Sequence, residues 1–308
     1  MLKIIAIVLK RLGWVALTLW VVFTISWTMM RLAPGGPFDS ERKMPPEIER
    51  NLRARYGLDQ PWHLQYPKDL WQTVWGDFGP SLRLKDYTVN QVIAQGFPVS
   101  ASLGIMALAF ALTVGTTSGV IAAVNRNSVY DVGFMALATL GIASPNFVLA
   151  GLAIIVFVFW IPLFPASGWG TVQQLVLPAL CLGLPYAAYI ARLTRAGMLE
   201  VLNLDYIRTA YSKGLAPRTV IVRHALRGAM LPVVSYLAPA MAALITGSLV
   251  VERIFNLPGM GSHFIEAALQ RDYALEMGVV LVYTLLLSLF NFFVDVSYAI
   301  IDPRVKLE

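Results

Sequence analysis

Residues able to do chemistry are sparse in this chain, and their spacing points to docking rather than catalysis. Between Asn203 and Gly214, apolar Leu204, Ile207 and Tyr211 recur at helical spacing, with Asp205, Arg208 and Ser212 on another face. Gly214 is a natural helix stop, and Pro217 sits where a following helix can start, because its missing N–H costs nothing in a first turn. Such a helix–Gly–Pro–helix segment would bury one face and offer the other to a partner. The plain alternative is an ordinary basic loop. His63, His224 and His263 are scattered and have no metal-ligand spacing. A Ser-His-Asp constellation is likewise missing. No Gly-x-x-x-x-Gly-Lys-Ser/Thr run cradles phosphates, so this chain is expected to bind no nucleotide and any ATP energy must enter through separate subunits.

The elements that must position these residues follow from composition. The chain has 308 residues, 57% of them hydrophobic and only 14% charged, with a mean hydropathy of +0.64. Soluble domains carry roughly 25% charged residues, so this chain lacks the polar groups to cover a wet surface. Disorder fails on the same apolar content. Cys181 stands alone, which rules out an intrachain disulfide framework. An all-α polytopic membrane protein remains.

A spanning helix needs about 20 apolar residues. Uncharged or nearly uncharged runs predict six spans, near 12–30, 100–124, 134–160, 175–193, 228–251 and 277–301. Pro145, Pro178 and Pro185 are expected to kink or locally open their helices. Gly115, Gly119, Gly141, Gly151, Gly183 and Gly247 are expected to let helices pack closely. Lys3, Lys10 and Arg11 precede the first span, and Arg192, Arg195, Arg208, Lys213, Arg218, Arg223 and Arg227 follow the fourth. By the positive-inside rule both termini and the connection 196–228 are cytoplasmic. The first span, too long for a signal peptide's apolar core and followed by no small-residue cleavage site, reads as uncleaved.

This divides the chain into 1–30 (cytoplasmic N-terminus and first span), an outside segment 31–97, and a five-helix transmembrane region 98–308 that includes the cytoplasmic connection 196–228. Segment 31–97 carries nine basic and eight acidic residues, and long loops translocate largely regardless of charge. Pro34-Gly35-Gly36-Pro37 stops the first helix, Pro45-Pro46-Glu47 opens a helical stretch that ends at Gly57, and Trp62, Trp71 and Trp75 follow. Trp favours the membrane interface, so this part reads as a small cap on the outer surface or a plain connection. Asp295 is the one acid well inside a span; a structural ion pair is preferred over a proton or substrate site. Glu252 and Arg253 close the fifth span, as a gate or as a solvated helix end.

The order Asp205-Tyr206-Ile-Arg208-Thr209-Ala210-Tyr-Ser-Lys213-Gly214-Leu-Ala-Pro217, then Arg223-His-Ala-Leu226, resembles the cytoplasmic coupling motif of ABC importer permeases. Ala210, Gly214 and Leu226 match the general pattern of Glu-Ala-Ala, three residues, Gly and a later Leu-Pro. Arg208, Thr209 and Arg227 depart from it in the manner of the oligopeptide/dipeptide branch. Arg31-Leu-Ala-Pro-Gly, Tyr56-Gly-Leu-Asp-Gln-Pro61, Gly76-Asp-Phe-Gly-Pro-Ser81, Ile245-Thr-Gly-Ser-Leu-Val-Val-Glu252, Leu257-Pro-Gly-Met-Gly261 and Ala299-Ile-Ile-Asp-Pro303 extend the resemblance along the chain. The whole is most like the B-type membrane subunits of that branch.

The resemblance implies a type I permease fold in a bacterial inner membrane, half of a peptide pathway completed by a second homologous permease. It also implies two ATP-binding subunits holding ATP and Mg, a periplasmic peptide-binding protein, and no role for nucleic acid. Asp205, Tyr206, Arg208, Thr209, Ala210, Lys213, Gly214 and Pro217 would then couple to the ATPases, with Glu252, Arg253 and Asp295 as gate or pathway candidates. Two alternatives stay open: a same-family permease for nickel, sugar or antimicrobial peptides, or a self-contained ion-coupled carrier using Asp295.

Overall fold

The computed structural model describes the backbone of residues 2–32, 47, 50, 59–245 and 249–301, and the side chains of these except 2–7, 238 and 294–301. Among the described residues the structure is helical, with one isolated bridge between Pro80 and Thr88. The chain divides into two compact units, 1–99 with 258–308, and 100–257. Pro34 to Pro37, Pro45, Pro46 and Gly57 lie outside the described residues.

In the first unit, α1 (Leu2–Leu32) supplies the first span and α12 (Tyr273–Ile301) the last. Phe23 and Trp27 of α1 pack with Leu281 and Met277 of α12, and with Tyr66 and Leu70 of α2 (Trp62–Val74). Short polar contacts fix α2 along the last two turns of α1. Tyr66 and Thr24 hydroxyls lie 2.8 Å apart, Trp27 Nε1 donates to Asp69 at 2.9 Å, and Arg31 donates to Gln65 and Asp69. The Arg31 guanidinium also lies 3.6 Å from the Trp27 ring centre, a cation–π contact.

α11 (Met260–Gln270) precedes α12 and ends on Arg271 in the left-handed region. The buried carboxylate of Asp272 then caps α12 by accepting from Leu275 N–H, and it takes Leu82 N–H, Arg83 N–H and the Ser81 hydroxyl from the loop before Val89. One carboxylate therefore starts a span and pins a loop 190 residues away in sequence.

The second unit holds residues 100–124 of α3 (Val89–Val124), α4 (Val129–Ala143), α5 (Asn146–Ile154, continued by a π-helical turn Ile155–Trp160) and α6 (Val172–Val201). α7 (Asp205–Ser212) and α8 (217–229, π-helical over Val220–Ala225) follow, then α9 (Leu231–Ile245) and α10 (Leu249–Ile254). Five stretches are long and apolar enough to span, and α4 with the helix after it forms a sixth candidate bent by 110°.

Packing register decides whether that bent pair crosses the membrane. A side chain at Gly183 would meet Ala107 O at 2.6 Å, one at Gly115 Ala187 O at 2.6 Å, and one at Gly119 Ala191 O at 2.6 Å. Both numbers rise together, so α3 and α6 run parallel. Two parallel spans place the end of the first and the start of the second on opposite sides. The chain between them must therefore cross once, and the bent pair is a broken span. The other contacts agree: Gly197 of α6 meets Ala229 at the end of α8 and Gly104 of α3 meets Leu244 of α9, so the chain from 229 to 244 runs antiparallel to both helices.

The span expected over 134–160 breaks at Pro145, where a proline kink is expected: Ser144, before the proline, is extended (φ −85, ψ 128) and Pro145 starts α5 from its N-cap (φ −62, ψ 142). α6 runs as one helix through Pro178 and Pro185, with Leu177, Pro178 and Ala179 buried. One expectation is corrected: Gly151 has open space where a side chain would go and makes no close helix contact among the described residues, while Gly247 lies outside them.

Candidate functional site

The connection between α6 and α9 builds a cup and sets a short helix on it. Ala123, Met198, Val201, Val220, Ala225 and Ala229 form one buried cluster, and it receives Ile207 and Ala210 from α7. Ile207 is 1% exposed. From Asn203 to Arg218 every other residue is exposed. The buried face therefore differs from the expected Leu204–Ile207–Tyr211 stripe. Leu204 is extended at the N-cap (φ −78, ψ 149) and does not share the helical periodicity. Tyr211 flanks the contact, and the small Ala210 fits the alanine-lined cup in its place.

Local chemistry ends this helix as the sequence predicts. Gly214 is left-handed (φ +77) and donates to Tyr211 O at 2.9 Å, while Leu215 N–H reaches Ala210 O at 3.4 Å. These two bonds are the Schellman arrangement, which satisfies the last carbonyls of the helix. Pro217 then takes the first position of α8. Thr209 and Ser212 hydroxyls donate to the carbonyls four residues back, at 3.0 and 3.1 Å. Arg208 lies 3.6 Å from Asp205 with 74% of its side chain exposed, so this solvated pair adds little to stability. Asp205, Tyr206, Arg208, Thr209, Lys213, Gly214 and Pro217 are thus brought together on one exposed ledge, while Ala210 faces the core.

The gate candidates are not brought together with that ledge. Glu252 is 0% exposed, and its Oε1 accepts from Ser100 Oγ at 2.8 Å. It is not the solvated helix end that the sequence left open, although Arg253 beside it is exposed. The side chain of Asp295 lies outside the described residues. Sequence reasoning missed one pair altogether: Arg195 of α6 donates two hydrogen bonds to Asp131 of α4, at 2.6 and 2.8 Å. It ties the start of the broken span to α6. Asp131 sits three residues after the N-cap Ser128, a visible capping signal, but nothing local names its partner.

Residues 115–307 match the family model described as the binding-protein-dependent transport system inner membrane component. The chain belongs to that family. As an inner membrane component of this kind it is a multi-pass, all-α transport subunit, and α7, α8, Glu252 and Arg253 all fall within the matched region. It is 46% identical to the oligopeptide transport system permease protein OppB of Haemophilus influenzae, over 97% of this chain and 98% of the relative. The OppB protein of Salmonella typhimurium is also 46% identical, over 94% and 95%. The dipeptide transport system permease protein DppB of Bacillus subtilis is 44% identical over 97% of each chain.

Proposed function

We propose that this chain is the permease subunit of an ATP-driven peptide importer. It forms half of the translocation pathway with a second homologous permease, couples through the α7 ledge to the ATP-binding subunits, two of which complete the complex, and takes peptide from a periplasmic binding protein. The observation that carries the coupling role is the seating of α7: one face anchored by Ile207, the other offering Arg208, Lys213, Tyr206 and Tyr211 to a partner. The names of the similar permeases support peptide as the cargo. ATP and Mg belong to the partner subunits, because this chain has no phosphate-binding loop.

The geometry gives a route for coupling. Ile207 packs in the same cluster as Ala123 at the end of α3 and Met198 and Val201 at the end of α6. A displacement of α7 by a moving ATPase is transmitted to both spans together, since well-packed interiors compress little. The α3–α6 seam then moves as one body.

Purification of the tagged chain from its own membranes, followed by reconstitution with the binding protein, tests this reading. Two ATP-binding polypeptides and a second hydrophobic subunit should copurify, and uptake of a labelled peptide should require ATP and the binding protein. A homo-oligomer that takes up solute on an ion gradient without those subunits would overturn it.

A further inference from the structure

The central helix of the second unit is covered unevenly. From Gln174 through Ala188 of α6 no residue is exposed; Tyr189 is the first, and Arg192, Ala196 and Glu200 follow it. Spacings of three and four place these four on one stripe of the helix. The helix thus has no exposed residue over 174–188, where Val176, Leu180 and Leu184 are half-buried, and beyond that it is open along a single line that ends near α7. An arginine and a glutamate on that line make hydrocarbon an unfavourable neighbour, so the stripe faces water.

At the head of the stripe stands an aromatic group drawn from two spans. Tyr189 is 42% exposed, and its ring lies 4.4 Å from that of Tyr236 on α9 at 37°. Tyr186 completes the group, 6.5 Å from Tyr236. Tyr186 and Tyr236 pack on the buried cluster of Ala111, Ala187, Ile190 and Val233, which holds the group rigidly. Among the described residues the three phenols have no hydrogen-bond partner. Tyr189 lies 17 residues into α6, roughly 25 Å along the helix from its outer end.

We propose that Tyr189, with Tyr236 and Tyr186, lines the translocation pathway at the head of an inward-open stripe and binds peptide in transit. This rests on the peptide-import reading above. A phenol both donates and accepts, so it can meet an amide N–H or C=O at any position of a peptide. The ring faces take apolar side chains of varied shape. Neither contact reads sequence, as a general peptide route requires.

The test uses the complete complex in proteoliposomes with its binding protein, ATP and Mg, and radiolabelled tetra-alanine as the probe. Photoreactive p-benzoylphenylalanine replaces Tyr189, or Leu137 of α4 as an exposed control. Label should attach to this chain at position 189 in an ATP-dependent manner and not at 137. Attachment at 189 to lipid or to the second permease, indifferent to peptide, would overturn the proposal. Tyr189→Phe and Tyr236→Phe keep the packing and remove one phenol each. Uptake per ATP hydrolysed should fall about threefold to tenfold for each, the worth of one hydrogen bond, at unchanged complex yield. Wild-type uptake in both, and in Tyr189→Ala, would also overturn it. A wild-type complex that moves no peptide defeats the underlying import reading instead; one that moves peptide without labelling at 189 defeats only this inference.

Discussion

Along α3 and α6 the helices meet nearly backbone to backbone at Gly115, Gly119 and Gly183, whereas α7 buries only Ile207 and Ala210 in its unit and leaves its charged residues in water. The seam is held by shape, with carbonyl oxygens of one helix seated over the glycines of the other. The ledge is held by two apolar side chains and a helix stop, and its polar groups are left for another protein. Stability and coupling are therefore carried by different residues. Substitutions in the two regions should separate cleanly into those that lose the fold and those that lose the partner.

The largest effect is expected in the seam. Gly115→Leu would drive a side chain into Ala187 O and the Ile190 side chain, with Cβ alone at 2.6 and 2.8 Å. Overpacking against backbone that cannot yield costs about 3 kcal/mol or more. Little monodisperse protein should then be recovered by gel filtration in detergent. Normal recovery would break the contrast at its strong end.

Arg208→Glu comes next and acts on the other side of the comparison. The side chain is solvated in this chain, so yield and insertion should be normal. If Arg208 is buried against an acid or carbonyl of an ATP-binding subunit, charge reversal removes about 2–5 kcal/mol from that association. Copurification of the ATP-binding subunits, scored on a gel, should fall sharply. Unchanged stoichiometry would show that Arg208 lies on a rim.

Gly214→Leu should be milder. Nothing lies within 4 Å of a side chain there, but φ is +77, which costs an L-residue about 1–2 kcal/mol. The loss falls on the helix stop, so hydrolysis should run partly uncoupled from uptake while the permease still folds. Equal transport per ATP in mutant and wild type would mean that the turn geometry is not used in coupling.

What the sequence made legible here follows the range of each interaction. The Gly214 stop and the Pro217 start are local turn chemistry, written within a few residues of where they act. Span positions follow from uncharged runs, and the break at Pro145 from the restriction a proline puts on its predecessor. The face of α7 was misread because an apolar Leu204 just outside a helix looks periodic without being part of it. Contacts between residues far apart were invisible: Arg195 to Asp131 spans 64 positions, Ser100 to Glu252 spans 152. Nothing in either neighbourhood marks these partners, although each lone charge beside an apolar run signals that a partner is needed.

Cross-linking from the ledge tests the central claim most directly. Single cysteines at Arg208, Lys213 and Ile207, in a background with the buried Cys181 replaced, would be treated with a short bifunctional thiol–amine reagent in membranes holding the whole complex. Positions 208 and 213 should join covalently to an ATP-binding subunit. Position 207, seated in the cup, should not. Adducts from 207 and none from 208 or 213 would contradict the seating of α7 and its role as the docking ledge.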